Sequence, residues 1–178
     1  MDRSEMEAVF ARGDIAGLVE GGRTRPSSVI TFLSRRIASD QPQEKWRAVS
    51  ALGAMVQNPQ VVNSEKVTEL LRRFFWALND ESGAVPHGVP EAIAEVLSVR
   101  PEQQEVFLPK LCALLTEEEL QQTGAIERGA VWAMGRLGRV VGERAPDAVF
   151  ALEILAREHE DPETRALAER ALHSVKKR

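Results

Sequence analysis

The chain has 178 residues, 43% of them hydrophobic, so it can bury one sizeable core without requiring a second domain. Its formal net charge is -4, and its basic residues are scattered among acidic ones, which disfavours the phosphate attraction that nucleic-acid binding needs. The single cysteine, Cys112, excludes an intramolecular disulfide and any metal site built from several thiolates.

The first 22 residues form a short amphipathic lead-in with a turn at Gly13 and Asp14, which we expect to cap the amino-terminal end as a helical hairpin. They lack the charged and then apolar profile of a signal peptide. No apolar run in the chain approaches the length of a bilayer span. These features predict a cytoplasmic protein without membrane contact.

Four helical hairpins are predicted after the lead-in. They cover residues 27–57, 63–99, 101–140 and 145–176. In each hairpin, a first helix with bulky apolar residues at helical spacing precedes a second helix with an alanine-rich face. Strand signals are absent, because the chain has no tyrosine and no sustained two-residue alternation. The pattern predicts an all-α fold.

An internal repeat is the strongest signal in the sequence. Residues 46–55 align without gaps on residues 128–137, and residues 87–96 match halfway between them. A shorter fourth copy covers residues 168–172. A period of about 40 residues is typical of arrays of helix pairs, in which each pair must stack on its neighbours to bury its apolar face. The repeat therefore predicts a solenoid formed by one domain over residues 1–178.

The third and fourth hairpins resemble HEAT repeats. Residues 107–111, which include a proline inside the first helix, precede an alanine-rich second helix at residues 129–138. Asp161 and Arg165 match the aspartate and the basic residue with which that family ties adjacent repeats together. The likeness extends over about residues 27–176. It implies a right-handed α-α superhelix of about four HEAT-like hairpins with an N-terminal capping hairpin.

Within the HEAT repeats, the chain is most similar to small bacterial HEAT-like proteins that are often grouped with phycobilisome-lyase-type repeats. It departs from the family pattern in the basic column. That column reads Lys45, Pro86, Glu127 and Arg165. The second and third hairpins therefore lack the usual basic residue and cannot make the ladder that ties adjacent repeats together.

Polar positions on the second helices of successive hairpins should form rows, because neighbouring helix axes lie about 8–10 Å apart. The rows contain Trp46, His87 and Arg128; then Ser50, Glu91, Trp132 and Arg170; then Glu95 and Arg136. Tryptophan and arginine side chains contribute most of the binding energy at protein interfaces. The rows are therefore a candidate recognition surface. The alternative is a solvated helix face whose tryptophans pack between repeats.

A second candidate site is the segment 79–88, which joins the two helices of the second hairpin. It is longer than most links between packed helices. It gathers Asp80, Glu81 and His87 behind Trp76, a composition suited to a ligand-binding loop. The same turn-forming residues also suit an ordinary connector in which Asp80 caps a helix. Both interpretations remain open at this point.

Catalytic motifs are not apparent. The three histidines lie in different hairpins without the spacing of a helical zinc site, and the glycines form no phosphate loop. The resemblance also includes DNA glycosylases that act on alkylated bases, which would imply an aromatic cleft of Trp46, Trp76 and Trp132 with Asp80 as the acid. Such an enzyme needs a basic groove, which this acidic chain does not suggest.

The sequence thus predicts a protein- or peptide-binding scaffold without catalytic activity, cofactor or metal, as a monomer or weak homodimer. Nucleic acid is disfavoured as a partner. The alternatives are a HEAT-like DNA glycosylase, another enzyme that acts on nucleic acid, or a lyase-like HEAT protein. The predicted binding residues are Trp46, Trp76, Asp80, Glu81, His87, Glu91, Arg128, Trp132 and Arg136.

Overall fold

The computed structural model describes residues 1–79, 87–117, 120 and 124–177. Within these ranges the regular structure is entirely helical, so the predicted all-α class is confirmed. The helices are α1 (Arg3–Ala11), α2 (Ile15–Gly22), α3 (Pro26–Ile37), α4 (Pro42–Gln57), α5 (Ser64–Leu78), α6 (Val89–Val99), α7 (Gln104–Thr116), α8 (Ala125–Leu137), α9 (Arg139–Arg144), α10 (Pro146–Glu158) and α11 (Pro162–Val175). None of the helices in the described part of the chain has the length and apolar character needed to cross a membrane.

Short polar side chains cap the N-termini of several of these helices. Asp2 caps α1 through a reciprocal capping box with Glu5, in which the two backbone-to-carboxylate distances are 2.9 and 2.7 Å. Asp14 caps α2, Asn63 caps α5 and Asp161 caps α11, each by accepting a hydrogen bond from a backbone N–H of the first turn. Free N–H groups at these helix ends are thereby satisfied locally.

The helices divide into two groups by their contacts. We call α3, α5, α7 and α10 the A helices, and α4, α6, α8 and α11 the B helices. Each A helix contacts the B helix that follows it, and the B helices contact one another in the order α4, α6, α8, α11. The N-terminal helix α2 packs against α4.

Small side chains form the contacts between B helices. These residues are almost fully buried: Ala48, Ala51, Ala92, Ala130, Ala133 and Ala168. Alanine keeps the helix axes close, because only a methyl group separates the two backbones. Larger side chains from the A helices, such as Leu33, Leu71, Leu111 and Leu152, cover the other side of the core.

Arg100 connects the end of α6 to the preceding helices. Its side chain is 3% exposed, and its Nη1 donates hydrogen bonds to the carbonyl oxygens of Val56 and Val62 at 2.9 and 2.8 Å. Its Nη2 donates to the Ser64 hydroxyl at 2.9 Å. The end of α4, the start of α5 and the end of α6 are therefore held by one guanidinium.

Helix α9 was not predicted. The predicted third hairpin ends at residue 140 and the fourth begins at residue 145, but Gly138 ends α8 with a φ of +53° and the chain resumes a helix at Arg139. Glycine adopts this positive φ without the steric cost that a side chain would add. The short helix adds the buried Val141 to the core.

Candidate binding surface on the B helices

Two tryptophans from different B helices meet at the surface. Trp46 of α4 and Trp132 of α8 have ring centroids 4.8 Å apart and planes inclined at 53°, although α6 separates their helices. Both rings are half-buried and rest on the hydrophobic core. The Lys45 ammonium lies 4.6 Å from the Trp46 ring centroid, a cation–π contact. We call the two rings the tryptophan platform. The row hypothesis assigned the two residues to different rows, so their contact runs across the rows.

Glu91 lies inside the protein beside the platform. Only 3% of the residue is exposed, and its Oε1 accepts a hydrogen bond from Lys45 Nζ at 2.8 Å. Its Oε2 has no hydrogen-bond partner. A Cβ atom on Gly129 of α8 would lie 2.5 Å from that oxygen, so the glycine leaves the space that the carboxylate occupies. The hypothesis that Glu91 faces a partner is therefore wrong: it pairs α6 with α4.

Glu95 connects three B helices from the middle one. Its carboxylate accepts two hydrogen bonds from Arg136 of α8, at 2.7 Å from Nε and 3.1 Å from Nη2. A bidentate pair of this kind is geometrically specific. Hydrogen bonding to Glu95 raises the pKa of Arg136, which therefore remains a cation. On the other side, a Cβ on Gly53 of α4 would lie 2.6 Å from Glu95 Cγ, so the glycine admits the stem of the glutamate.

Arg128 lies in the first turn of α8, on the same face as Trp132, and near the start of α11. Its Nη1 is 3.8 Å from Asp161 Oδ2, and 44% of its side chain is exposed. Asp161 accepts a hydrogen bond from the Thr164 hydroxyl at 2.7 Å and from the Thr164 backbone N–H at 3.1 Å. The hydrogen bond from the Thr164 side chain is the main reason why the pKa of Asp161 is lowered. The long ion pair leaves Arg128 free to contact a ligand.

His159 joins the link before α11 to α8, a role that the sequence did not reveal. Its Nδ1 accepts a hydrogen bond from the Asp161 backbone N–H at 3.0 Å, which leaves Nε2 to donate to Glu127 Oε2 at 3.1 Å. Arg165 donates to the backbone carbonyl of Glu160 at 3.1 Å and to that of His159. It therefore braces the link between α10 and α11, within its own hairpin.

The remaining predicted residues are His87, Trp76 and the two acidic residues of the candidate loop. His87 is half-buried in the turn before α6, next to Gly88, which has a φ of +78°. A Cβ on Gly88 would lie 2.5 Å from the carbonyl oxygen of Ile37, so this turn requires glycine for both reasons. Trp76 belongs to the A helix α5 and is 71% exposed. The other predicted loop residues, Asp80 and Glu81, lie outside the described residues, as does most of the candidate loop.

The partly exposed groups of this surface include the rings of Trp46 and Trp132 and the cations of Arg128 and Arg136. In the described ranges, no three His, Cys, Asp or Glu side chains converge in a way that could hold a metal ion. Burial raises the pKa of the Cys112 thiol to about 12, and its Sγ lies 3.7 Å from Met134 Sδ inside the core. The thiol is therefore protonated at neutral pH and is a poor nucleophile.

Comparisons with known proteins give one distant relative. No protein-family model matches the chain, and no solved structure matches it significantly. The chain is similar to an uncharacterized protein of the archaeon Archaeoglobus fulgidus, with 32% identity over 130 residues. The matched region covers 72% of this chain and 62% of the relative, so the chain spans less than two thirds of that protein's length.

Proposed function

We propose that the chain is a non-catalytic scaffold that binds a protein or peptide segment through the exposed face of its B helices. The observation that carries this proposal is the contact between Trp46 and Trp132 across α6. The contact makes one continuous aromatic surface out of residues from two helices. Aromatic rings of this kind offer a large contact area at a low cost in side-chain entropy.

The charges around the platform favour a polypeptide ligand. Arg128 and Arg136 have 44% and 39% of their side chains exposed, while Glu95 is less exposed at 18%. A partner therefore meets aromatic rings, cations and a carboxylate within one area. Surfaces with both signs of charge select partners with complementary charge patterns rather than a uniform polyanion.

We further propose that the helices form one HEAT-like solenoid with α1 and α2 as its cap. The order of contacts along α2, α4, α6, α8 and α11 supports this arrangement, because a stack of hairpins places each B helix against those before and after it. A solenoid gives an extended surface on which several B helices contribute to one binding site. That property matches the position of the platform.

A glycosylase-like enzyme has less support. The rings of Trp46 and Trp132 contact each other, so they do not form two open walls of a cleft that could hold a flipped base. Lys45 and Arg136 are each paired with a glutamate, which reduces the positive potential that a DNA backbone would need. Trp76 lies on an A helix rather than beside the other two tryptophans.

The experiment is a selection of peptides from a random phage-displayed library on the immobilised protein. We expect enriched peptides that bind the wild type and lose binding to Trp132→Ala and to Arg128→Ala. The matched control is Trp76→Ala, which removes an exposed tryptophan from an A helix and should leave binding unchanged. Circular dichroism establishes whether each variant is folded. If Trp132→Ala does not fold, Arg128→Ala still tests the proposal.

Two results would contradict the scaffold proposal. One is equal binding of the enriched peptides to the wild type and to both platform variants. The other is saturable binding of a fluorescein-labelled DNA duplex at physiological salt that Trp132→Ala abolishes, which would favour the enzyme class instead.

A further inference from the structure

A groove between α8 and α11 continues from the tryptophan platform. Its volume is about 280 Å³, and its polar rim contains Arg136 and Arg170. Trp132 and Leu167 form its two walls. Trp132 is therefore shared by the platform and the groove, so a ligand on the platform would extend directly into the groove.

Two small residues line the groove where α8 and α11 approach each other. A Cβ on Gly135 of α8 would lie 3.1 Å from the Cα and 3.2 Å from the Cβ of Ala171 on α11, so the two helices approach very closely there. Larger residues at these positions would fill the groove or push the helices apart. The volume is slightly below the roughly 300–1,000 Å³ typical of small-molecule sites. It suits one large apolar side chain of a peptide.

The two arginines on the rim differ in their pairing. Arg136 uses Nε and Nη2 for its bond to Glu95, and its Nη1 takes no part in that pair. Arg170 is exposed, and no acidic residue in the described part of the chain lies within ion-pair distance of it. Among the described residues, the Arg170 charge on this rim has no acidic partner, and it lies next to an apolar cavity.

We propose that this groove binds an acidic peptide segment, with a large apolar side chain between Trp132 and Leu167 and a neighbouring carboxylate on Arg170. This inference rests on the proposed binding function and specifies its ligand class. The carboxylate of an Asp or Glu side chain matches the planar donor fork of a guanidinium. The bidentate geometry of such a pair gives it specificity even at an exposed site.

The test extends the library selection to the groove. Peptides enriched on the wild type should combine Asp or Glu with a neighbouring Leu, Phe, Trp or Met. A synthetic copy of the best peptide should bind Arg170→Gln about tenfold more weakly, because it loses a charge-assisted hydrogen bond. Arg170→Lys should retain part of the affinity. Selection on Arg170→Glu should enrich peptides without the acidic residue.

The matched control is Arg72→Gln, which removes an exposed arginine from α5 and should leave the affinity unchanged. If the best peptides bind Arg170→Gln and Leu167→Ala as tightly as the wild type but lose binding to Trp132→Ala, the groove proposal fails and the scaffold proposal stands. Enrichment of basic peptides on the wild type would also overturn the groove proposal. If no peptide is enriched at all, both proposals fail together.

Discussion

The B helices and the A helices use their surfaces differently. Successive B helices contact one another through alanine and glycine, and α6 inserts Glu91 and Glu95 against glycines of its two neighbours. The A helices bury bulky residues on one side and leave large apolar ones exposed on the other. These exposed residues are Trp76 at 71%, Val106 at 56% and Phe150 at 63%. Positions on the B helices are therefore constrained by neighbouring helices, whereas the outer positions of the A helices are mostly exposed.

The largest effect should come from a charge in the B-helix contact. Ala130 is fully buried, so Ala130→Arg forces a long side chain and an unpaired cation between α8 and its neighbours. Overpacking and the buried charge should together cost more than about 4 kcal/mol and abolish the cooperative thermal transition. The matched change on an A helix, Phe150→Arg, should melt within a few degrees of the wild type. Equal melting of the two variants would remove the distinction between the helix groups.

The next effect concerns Arg100, whose guanidinium holds the ends of three helices. Arg100→Met keeps much of the side-chain volume but leaves the carbonyl oxygens of Val56 and Val62 without their donor. Each buried group that loses its partner costs about 1–3 kcal/mol, so we expect a loss of about 3 kcal/mol in urea unfolding. Arg73→Met on α5, which removes an exposed arginine, should change the unfolding free energy very little.

The helical class and the two helix types were predictable from the sequence. Both depend on local spacing of apolar residues and on a repeat, which the sequence shows directly. The Asp161 cap was predictable for the same reason, since it needs only the residues that follow it. The role of Arg100 was not predictable in this way, because its acceptors are backbone groups far away in the chain.

The arrangement of the candidate site was less predictable. The burial of Glu91 depends on the missing side chain of Gly129, a residue on another helix. The rings of Trp46 and Trp132 touch because indole side chains are long enough to reach past α6. A row, by contrast, relates only residues on adjacent B helices. Sequence spacing predicts where Cβ atoms point, but it does not predict how far a large side chain extends.

A smaller effect is expected at the pair between α4 and α6. Lys45→Met leaves the buried Glu91 without its cation and should cost about 2–3 kcal/mol, below the value for fully buried pairs because 21% of the lysine side chain is exposed. The double variant Lys45→Met with Glu91→Leu should recover most of that loss, since no buried charge remains. Lys110→Met on α7 is the matched change at an exposed lysine. If the double variant were as unstable as Lys45→Met, Glu91 would stabilise the fold through more than its ion pair with Lys45.

The smallest effect should be a pH-dependent one at the start of α11. The hydrogen bond from Thr164 holds the pKa of Asp161 below its ordinary value, so the folded protein binds the proton less readily than the unfolded chain does. The stabilisation is therefore complete above the unfolded pKa of about 4 and decreases as the pH falls through the lower, folded value. Asp161→Asn retains a capping oxygen without the charge, so its melting temperature should lie slightly below that of the wild type at pH 7.

That difference should shrink as the pH is lowered below about 4, because the wild type then loses the charge that the variant never had. Asp147→Asn in the first turn of the A helix α10 is the matched control, since that aspartate does not cap its helix. Thermal melts of the three proteins between neutral and acidic pH measure the effect. A difference that persists unchanged at low pH would assign the stabilisation to the geometry of the cap rather than to its charge.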